Sequence, residues 1–480
     1  MSTPPEHGFN VTGYFRAESG VGEGVRLLTM ALEAAGVPFT TLEYTDAPNR
    51  QGHPFEARST GGTTFDINIV AINADVTPVF AAKIGPEFFY RRYTIGEWNW
   101  ETEKLPRIWQ RGLDHVDEVW LSSNYSAEAV RQVTSKPVFT FPLPIIRPTV
   151  TDEFSRADLG LPDGFMFLFT FDYFGGFRRK NPVGVVEAFK RAFRDGEGPV
   201  LVLKSVNGDK ERAEQEELRR AIGGRGDVRI IDGYLPVAQK NSLMGFCDCY
   251  VSLHRSEGFG LTIAEAMSLG KPAIATGYSG NVDFMNEENS YLVDWEPALV
   301  GEDRFFPPDD RWSQPNIEDG ARLMRHVYEH QDEARHKGDQ AARDIRDQHS
   351  PASRASFLRG RLEDISTNRM ERAMLMGTGS RYSYDIRRVE SLLLEGPDLD
   401  LPTRFGGPYA AGARRFRRFL RRFLHGYELH QRDVSTALLG ALRELEARQR
   451  TVIDTTGAPP PAAPAEPPAT PATRQAGRTR

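Results

Sequence analysis

The sequence predicts an α/β protein made of two doubly wound units in tandem. Three observations predict it. Strand-length apolar runs alternate with helical spacing from residue 9 to residue 276. A proline-rich connection interrupts that rhythm in the middle. A glycine-rich turn follows a strand in each half. Strands that alternate with helices imply parallel βαβ units with both sheet faces covered.

The elements follow in order. Phe9–Phe15 reads as a strand, Glu18–Gly24 as a glycine-rich turn and Val25–Ala35 as a helix. Phe65–Ile72 and Val116–Ser122 are buried-strand patterns, and Tyr125–Val133 is a short helix pattern. Phe141-Pro-Leu-Pro-Ile-Ile-Arg-Pro148 is the hinge. The alternation then restarts with the strand Phe165–Phe171 and the helix Pro182–Phe193. Val200–Leu203, Val228–Ile231, Tyr250–Leu253 and Ala273–Thr276 are further strands. Leu261–Leu269 is a helix stopped by Gly270-Lys-Pro272. The expected divisions are 1–145, 146–365, a helical extension over 366–456 and a tail over 457–480. The tail contains seven prolines and almost no bulky apolar side chain, so it is expected to be disordered.

Composition bounds the function. The chain has 480 residues with 60 Lys+Arg against 66 Asp+Glu, a formal net charge of −6. A polycation built to coat nucleic acid is excluded, so any anion site must be local. Cys247 and Cys249 alternate on one strand face and read as small core residues, not as half of a zinc site. The N-terminus carries neither a basic nor an apolar leader, and no run of 18 apolar residues occurs. The expected location is therefore cytoplasmic.

The chemistry concentrates in His254-Arg-Ser-Glu-Gly-Phe-Gly-Leu-Thr-Ile-Ala-Glu-Ala-Met-Ser-Leu-Gly-Lys-Pro272. It follows a strand and opens a helix. Free amides at such a helix start favour an anion. Glu257 and Glu265 flank that start, and carboxylates accept the hydroxyl protons of sugars. The combination describes a nucleotide-sugar pocket. The plainer reading makes Glu257 a helix-terminus charge and Glu265 an exposed helix residue.

The string Glu257-Gly-Phe-Gly-Leu-Thr-Ile-Ala-Glu265-Ala-Met-Ser-Leu-Gly-Lys-Pro272 resembles the signature of the retaining glycosyltransferases of family 4. The resemblance covers about residues 8–365. It implies the GT-B fold of two Rossmann-like domains and transfer of a sugar from a nucleotide-diphosphate donor. It places ribose on Glu265 and the donor sugar on Glu257. It brings the amides of Gly258, Phe259, Gly260 and Leu261 to the sugar and diphosphate.

In Phe171-Asp-Tyr-Phe-Gly-Gly-Phe-Arg-Arg-Lys-Asn-Pro182, the resemblance assigns Lys180 to the diphosphate. The usual arginine position falls near Gly175, so Arg178 or Arg179 stands in for it. Two phosphates need local cations, although a solvated basic loop would look the same. Gly20 and Gly22, in Ser19-Gly-Val-Gly-Glu-Gly24, would let backbone approach the diphosphate from the first unit. Lys204 and Asn281 are further donor-side candidates, with a turn role as an alternative for Asn281 and Asp283.

Glu97, Trp98 and Glu101 lie in Tyr93-Thr-Ile-Gly-Glu-Trp-Asn-Trp-Glu101, similar to a bacterial subset of the family with a Trp-x-Trp-Glu segment on the acceptor side. Core packing accounts for the tryptophans equally well.

The resemblance implies no dedicated nucleophile, no cofactor and no metal. The lone Asp398-Leu-Asp400 reads as a surface turn. The expected partners are a nucleotide sugar and a glycan or lipid-linked acceptor, as in synthesis of a bacterial surface glycan. Arg414–Leu424 presents Phe and Leu on one helical face and six arginines on the others. It would pack on the body or on a second copy of the chain, bind a partner helix, or lie on an anionic membrane. Two rival readings are a non-catalytic sugar-nucleotide scaffold and a transferase that makes a small soluble glycoside.

Overall fold

The computed structural model describes residues 7–47, 49–58, 64–90 and 92–376, with side chains through 368. Two six-stranded parallel sheets form its frame. The first contains β1 (Phe9–Gly13), β2 (Phe39–Glu43), β3 (Ile67–Ala71), β4 (Tyr93–Trp98), β5 (Glu118–Leu121) and β6 (Val138–Thr140) in the order β2-β1-β3-β4-β5-β6. The second contains β7 (Met166–Asp172), β8 (Val200–Val206), β9 (Val228–Asp232), β10 (Cys249–Ser252), β11 (Ala273–Thr276) and β12 (Tyr291–Val293). Its order is β12-β11-β10-β7-β8-β9. A separate antiparallel hairpin pairs β13 (Trp295–Leu299) with β14 (Arg311–Pro315).

The helices are α1 (Gly20–Ala34), α2 (Thr77–Ile84), α3 (Asn124–Arg131), α4 (Phe177–Lys180), α5 (Pro182–Ala192), α6 (Arg212–Ile222), α7 (Val237–Phe246), α8 (Leu261–Ser268), α9 (Ile317–Glu329), α10 (Gln331–His349) and α11 (Ala355–Met376).

Strand and helix identities follow from local chemistry. Met166-Phe-Leu-Phe in β7 and Ile67-Asn-Ile-Val-Ala in β3 are buried at every position, as a sheet covered on both faces requires. Ser19 caps α1 by accepting from the Gly22 amide at 3.2 Å. Asn181, at φ 55°, caps α5 by accepting from the Gly184 amide, and Pro182 follows at the first helical position. Cys247 and Cys249 are free and buried in the second core as expected, but Cys247 ends α7 and only Cys249 lies in β10, so they do not share a strand face.

The glycine segment differs from expectation. Gly20 and Gly22 lie in the first turn of α1, not in a loop before it. A Cβ at Gly22 would stand 2.2 Å from the Ala17 carbonyl, so this turn requires glycine for close packing. A Cβ at Gly20 would meet nothing within 4 Å.

In the second sheet the chain order reverses between β7 and β10, which lie side by side. Ligands in doubly wound sheets bind beyond the carboxyl ends of the strands at such a reversal. The basic turn after β7 and the Glu257 turn after β10 both emerge there. Ala355, Leu358 and Ile365 pack into the core of the first sheet, so the chain returns to its first half after completing the second.

Candidate functional site

Glu257 sits between β10 and α8 and is 8% exposed. Its backbone is fixed by the loop after β11. The Glu257 amide donates to Ser279 Oγ at 2.8 Å, and the Gly280 amide donates to the Glu257 carbonyl at 2.9 Å. Ser279 holds φ 75°, a strained position for a residue with a side chain.

The Glu257 carboxylate is held by two cations from α4. Lys180 Nζ donates to Oε1 at 2.6 Å and Arg179 Nη1 donates to Oε2 at 3.1 Å. Arg179 is 4% exposed and also donates to the Ser256 carbonyl at 2.7 Å and the Gly175 carbonyl at 2.7 Å. Burial pushes the Glu257 carboxyl up, but the Lys180 and Arg179 charges pull it down further, to about 2. Burial lowers the Lys180 ammonium against the pull of Glu257. Two cations thus meet at one carboxylate in a desolvated pocket, where an entering anion would be drawn to both.

The first half reaches the same point. Glu101 Oε1 stands 3.9 Å from Arg179, and Ser256 Oγ donates to the Glu101 carbonyl. The Ser122 hydroxyl donates to the Gly258 carbonyl at 3.4 Å, and the Ser126 hydroxyl donates to the Trp100 carbonyl at 2.6 Å while lying 3.3 Å from that of Gly258. A Cβ on Gly258 would come within 3.1 Å of the Trp100 carbonyl, so the turn packs tightly on the first half. Asp283 accepts from the Asn124 amide at 2.7 Å, and Tyr125 and Tyr278 hydroxyls meet at 3.0 Å.

The remaining donor-side candidates divide. Glu265 projects from α8, is raised by burial and lowered by Lys240, and feels the Glu23 carboxylate of α1. Lys240 Nζ lies 3.8 Å away. The first bonds inside α8 run from the Ile263 and Ala264 amides to the Gly260 carbonyl. The amides of Gly260, Leu261 and Thr262 therefore precede the helical ladder, the arrangement that favours an anion at a helix start. Phe259 itself is a core residue against Phe284 and His349. Lys204 donates to the carbonyls of Ser205, at 2.6 Å, and Gly233, and burial holds its ammonium down to about 8. Asn281 is tied inward. It donates to the Thr276 carbonyl at 2.9 Å and its Oδ1 faces His254 Nε2 at 3.0 Å. Arg178 points away from Glu257 and donates to the Glu302 carbonyl.

On the first half, Trp98 is 1% exposed in a core cluster with Trp100, Leu105 and Leu113, so its surroundings match the packing account. Glu97 is also 1% exposed, and its Oε2 has no hydrogen-bond partner among the described residues. Burial raises its carboxyl to about 7. The folded group therefore keeps a proton that the unfolded chain, at 4.5, has lost. Stability should fall as pH rises through that window. Glu97→Gln should gain nothing over wild type near pH 4. By pH 8 it should be more stable by up to about 3 kcal/mol. Melting curves at the two pH values check this, and an equal offset at both contradicts it.

Sequence reasoning missed His254, Ser279, Ser122 and Ser126. His254 is fully buried just after β10, with Nδ1 3.0 Å from Ser252 Oγ, and burial lowers its pKa. Its place at the end of β10 was the available signal. The serines act across 130 residues of sequence, which no local pattern reveals.

Residues 168–296 match the model of the family described as Glycosyl transferases group 1. That stretch runs from β7 into β13 and contains Arg179, Lys180, Glu257 and Glu265. No curated protein matches the chain significantly. Among solved structures, the fold resembles sucrose-phosphate synthase from Thermosynechococcus elongatus at 15% identity and TM-score 0.55, covering 75% of this chain and 100% of that one. A glycosyltransferase from Rickettsia africae matches at 13% identity and TM-score 0.56, over 76% and 99% of the two chains. Anabaena HepE, solved in complex with UDP and glucose, matches at 14% identity and TM-score 0.53, over 75% and 100%. The two parallel sheets are the GT-B architecture, and the family match on that architecture indicates a transferase enzyme.

No helix among the described residues is long and apolar enough to cross a membrane. Asp398-Leu-Asp400, the Arg414–Leu424 segment and the proline-rich tail lie outside the described residues.

Proposed function

We propose that the chain is a retaining glycosyltransferase of the family 4 type. It moves a sugar from a nucleotide-diphosphate donor to a glycan or lipid-linked acceptor, in assembly of a bacterial surface glycan. One observation carries the reading: Glu257 clamped by Arg179 and Lys180 at the strand reversal of the second sheet. That HepE was solved with UDP and glucose supports the same ligand class here.

The chemistry follows from charge. As the bond from the anomeric carbon to the diphosphate breaks, negative charge grows on the leaving group and positive charge on the sugar. Lys180 and Arg179 stabilise the former, together with the amides that open α8. Glu257 lies on the side of the sugar and offsets the latter. The acceptor hydroxyl bonds to the anomeric carbon on the face the diphosphate leaves and its proton passes to the departing phosphate oxygen, so the protein acts by positioning and by stabilising separated charge. No step calls for a metal.

Purified protein should be screened against a panel of nucleotide sugars by thermal shift. A donor and its nucleoside diphosphate should raise the melting temperature by mass action. No shift with any nucleotide or nucleotide sugar would refute the proposed donor class.

A further inference from the structure

The hairpin of residues 295–315 begins where the family match ends, at residue 296. It belongs to neither large sheet. It nevertheless touches the first half and the basic turn of the second.

Its apolar side faces the first half. Val300, Phe306 and Trp312 are buried in one cluster with Trp98, Trp100, Leu105 and Leu113. The Phe306 ring lies 5.6 Å from Trp100 and 6.3 Å from Trp312. The Lys104 amide donates to Asp310 Oδ2 at 3.3 Å.

Its polar side grips the turn that carries the cations. The Ser313 amide and hydroxyl donate to the Arg255 carbonyl at 2.9 and 2.7 Å, and Arg255 Nε donates to Gln314 Oε1 at 3.1 Å. The Arg255 amide donates to the Arg179 carbonyl at 2.7 Å, and the Arg255 guanidinium donates to the Arg178 carbonyl. Arg178 donates to the Glu302 carbonyl, at the far end of the hairpin. Phe306 also reaches Gly176, where an added Cβ would lie 3.8 Å from its ring.

Gly176 holds φ 88° and Asn181 φ 55°, so both ends of the one-turn α4 leave regular geometry. A four-residue helix has little stability of its own. Its position is therefore set by what packs on it, and the hairpin supplies part of that packing through Phe306 and the Glu302 carbonyl.

We propose that the hairpin 295–315 is a strap that docks on the first half through Phe306 and Trp312 and, through Arg255, positions Arg179 and Lys180 for the donor diphosphate. Trp312, Phe306, Gln314 and Arg255 are positioning residues and touch no substrate. This rests on the donor class proposed above.

The test compares nucleoside diphosphate with the bare nucleoside of the same base, by calorimetry and ligand-observed NMR, on the full chain. Trp312→Ala should weaken the diphosphate about tenfold and leave the nucleoside within about twofold. Trp312→Phe should restore most of the loss. Gln314 is exposed, so Gln314→Ala keeps the core intact and should weaken the diphosphate about threefold. If Trp312→Ala loses the nucleoside as well, its fold is damaged and Gln314→Ala decides. Diphosphate affinity at the wild-type level in Gln314→Ala, or in a folded Trp312→Ala, would overturn the strap alone. A wild-type chain that binds no nucleoside diphosphate would overturn the donor reading and the strap with it.

Discussion

Glu257→Gln should lower the transfer rate by about 10²–10³-fold while leaving nucleoside diphosphate binding at least as tight as in wild type. The two effects separate because the carboxylate plays two parts. In the resting site it neutralises Lys180 at 2.6 Å and Arg179 at 3.1 Å. On the proposed function, it faces the sugar during transfer as positive charge develops there. The amide fills the same space without the charge. Catalysis loses its stabilising anion, but a bound diphosphate gains two cations no longer shared with a carboxylate.

The free variant should also be less stable. Removing one member of a buried ion pair costs about 3–5 kcal/mol, part of which Glu101, 3.9 Å from Arg179, offsets here. Nucleoside diphosphate should recover that loss in a melting experiment. Rates, binding and melting measured together check the claim. Diphosphate affinity that falls in step with the rate would contradict it.

Lys180→Met should do the reverse. It keeps the stem and removes the ammonium. Arg179 still holds Glu257, so the fold should persist with a melting temperature within a few degrees of wild type. The diphosphate loses its more accessible cation, as Lys180 is 18% exposed in its side chain against 5% for Arg179. Nucleoside diphosphate affinity should fall about tenfold and turnover about 100-fold. Opposite changes in diphosphate affinity for Glu257→Gln and Lys180→Met would distinguish a diphosphate site from a structural ion pair, which predicts loss of stability in both and no binding change in either.

Much of this was legible in the sequence because it is local. Parallel strands buried on both faces write themselves as apolar runs such as Phe165–Phe171, and the Glu257–Glu265 string lies within one turn and one helix. The proline hinge separated the two sheets. What escaped notice was non-local or irregular. The strand β4 was read for its tryptophans, although Thr94–Gly96 pair with β3 as the fourth strand in sequence. The hairpin 295–315 has Glu296, Pro297, Gln314 and Pro315 in its strands, none a strong strand signal, and packs through Trp312 onto tryptophans some two hundred positions earlier. Asn281 looks like a free turn residue in sequence, but folding turns its amide inward to Thr276 and His254. The choice between Arg178 and Arg179 was open until backbone geometry sent one to Glu302 and the other to Glu257.

The most direct test of the central claim is turnover of a nucleotide-sugar panel with a mixture of glycan and lipid-linked acceptors. Nucleoside diphosphate release and the product's anomeric proton are followed by NMR. The account predicts acceptor-dependent release from one donor class, a product with the donor's anomeric configuration, and loss of both in Glu257→Gln. Release with an inverted product, or full turnover in Glu257→Gln, would contradict it.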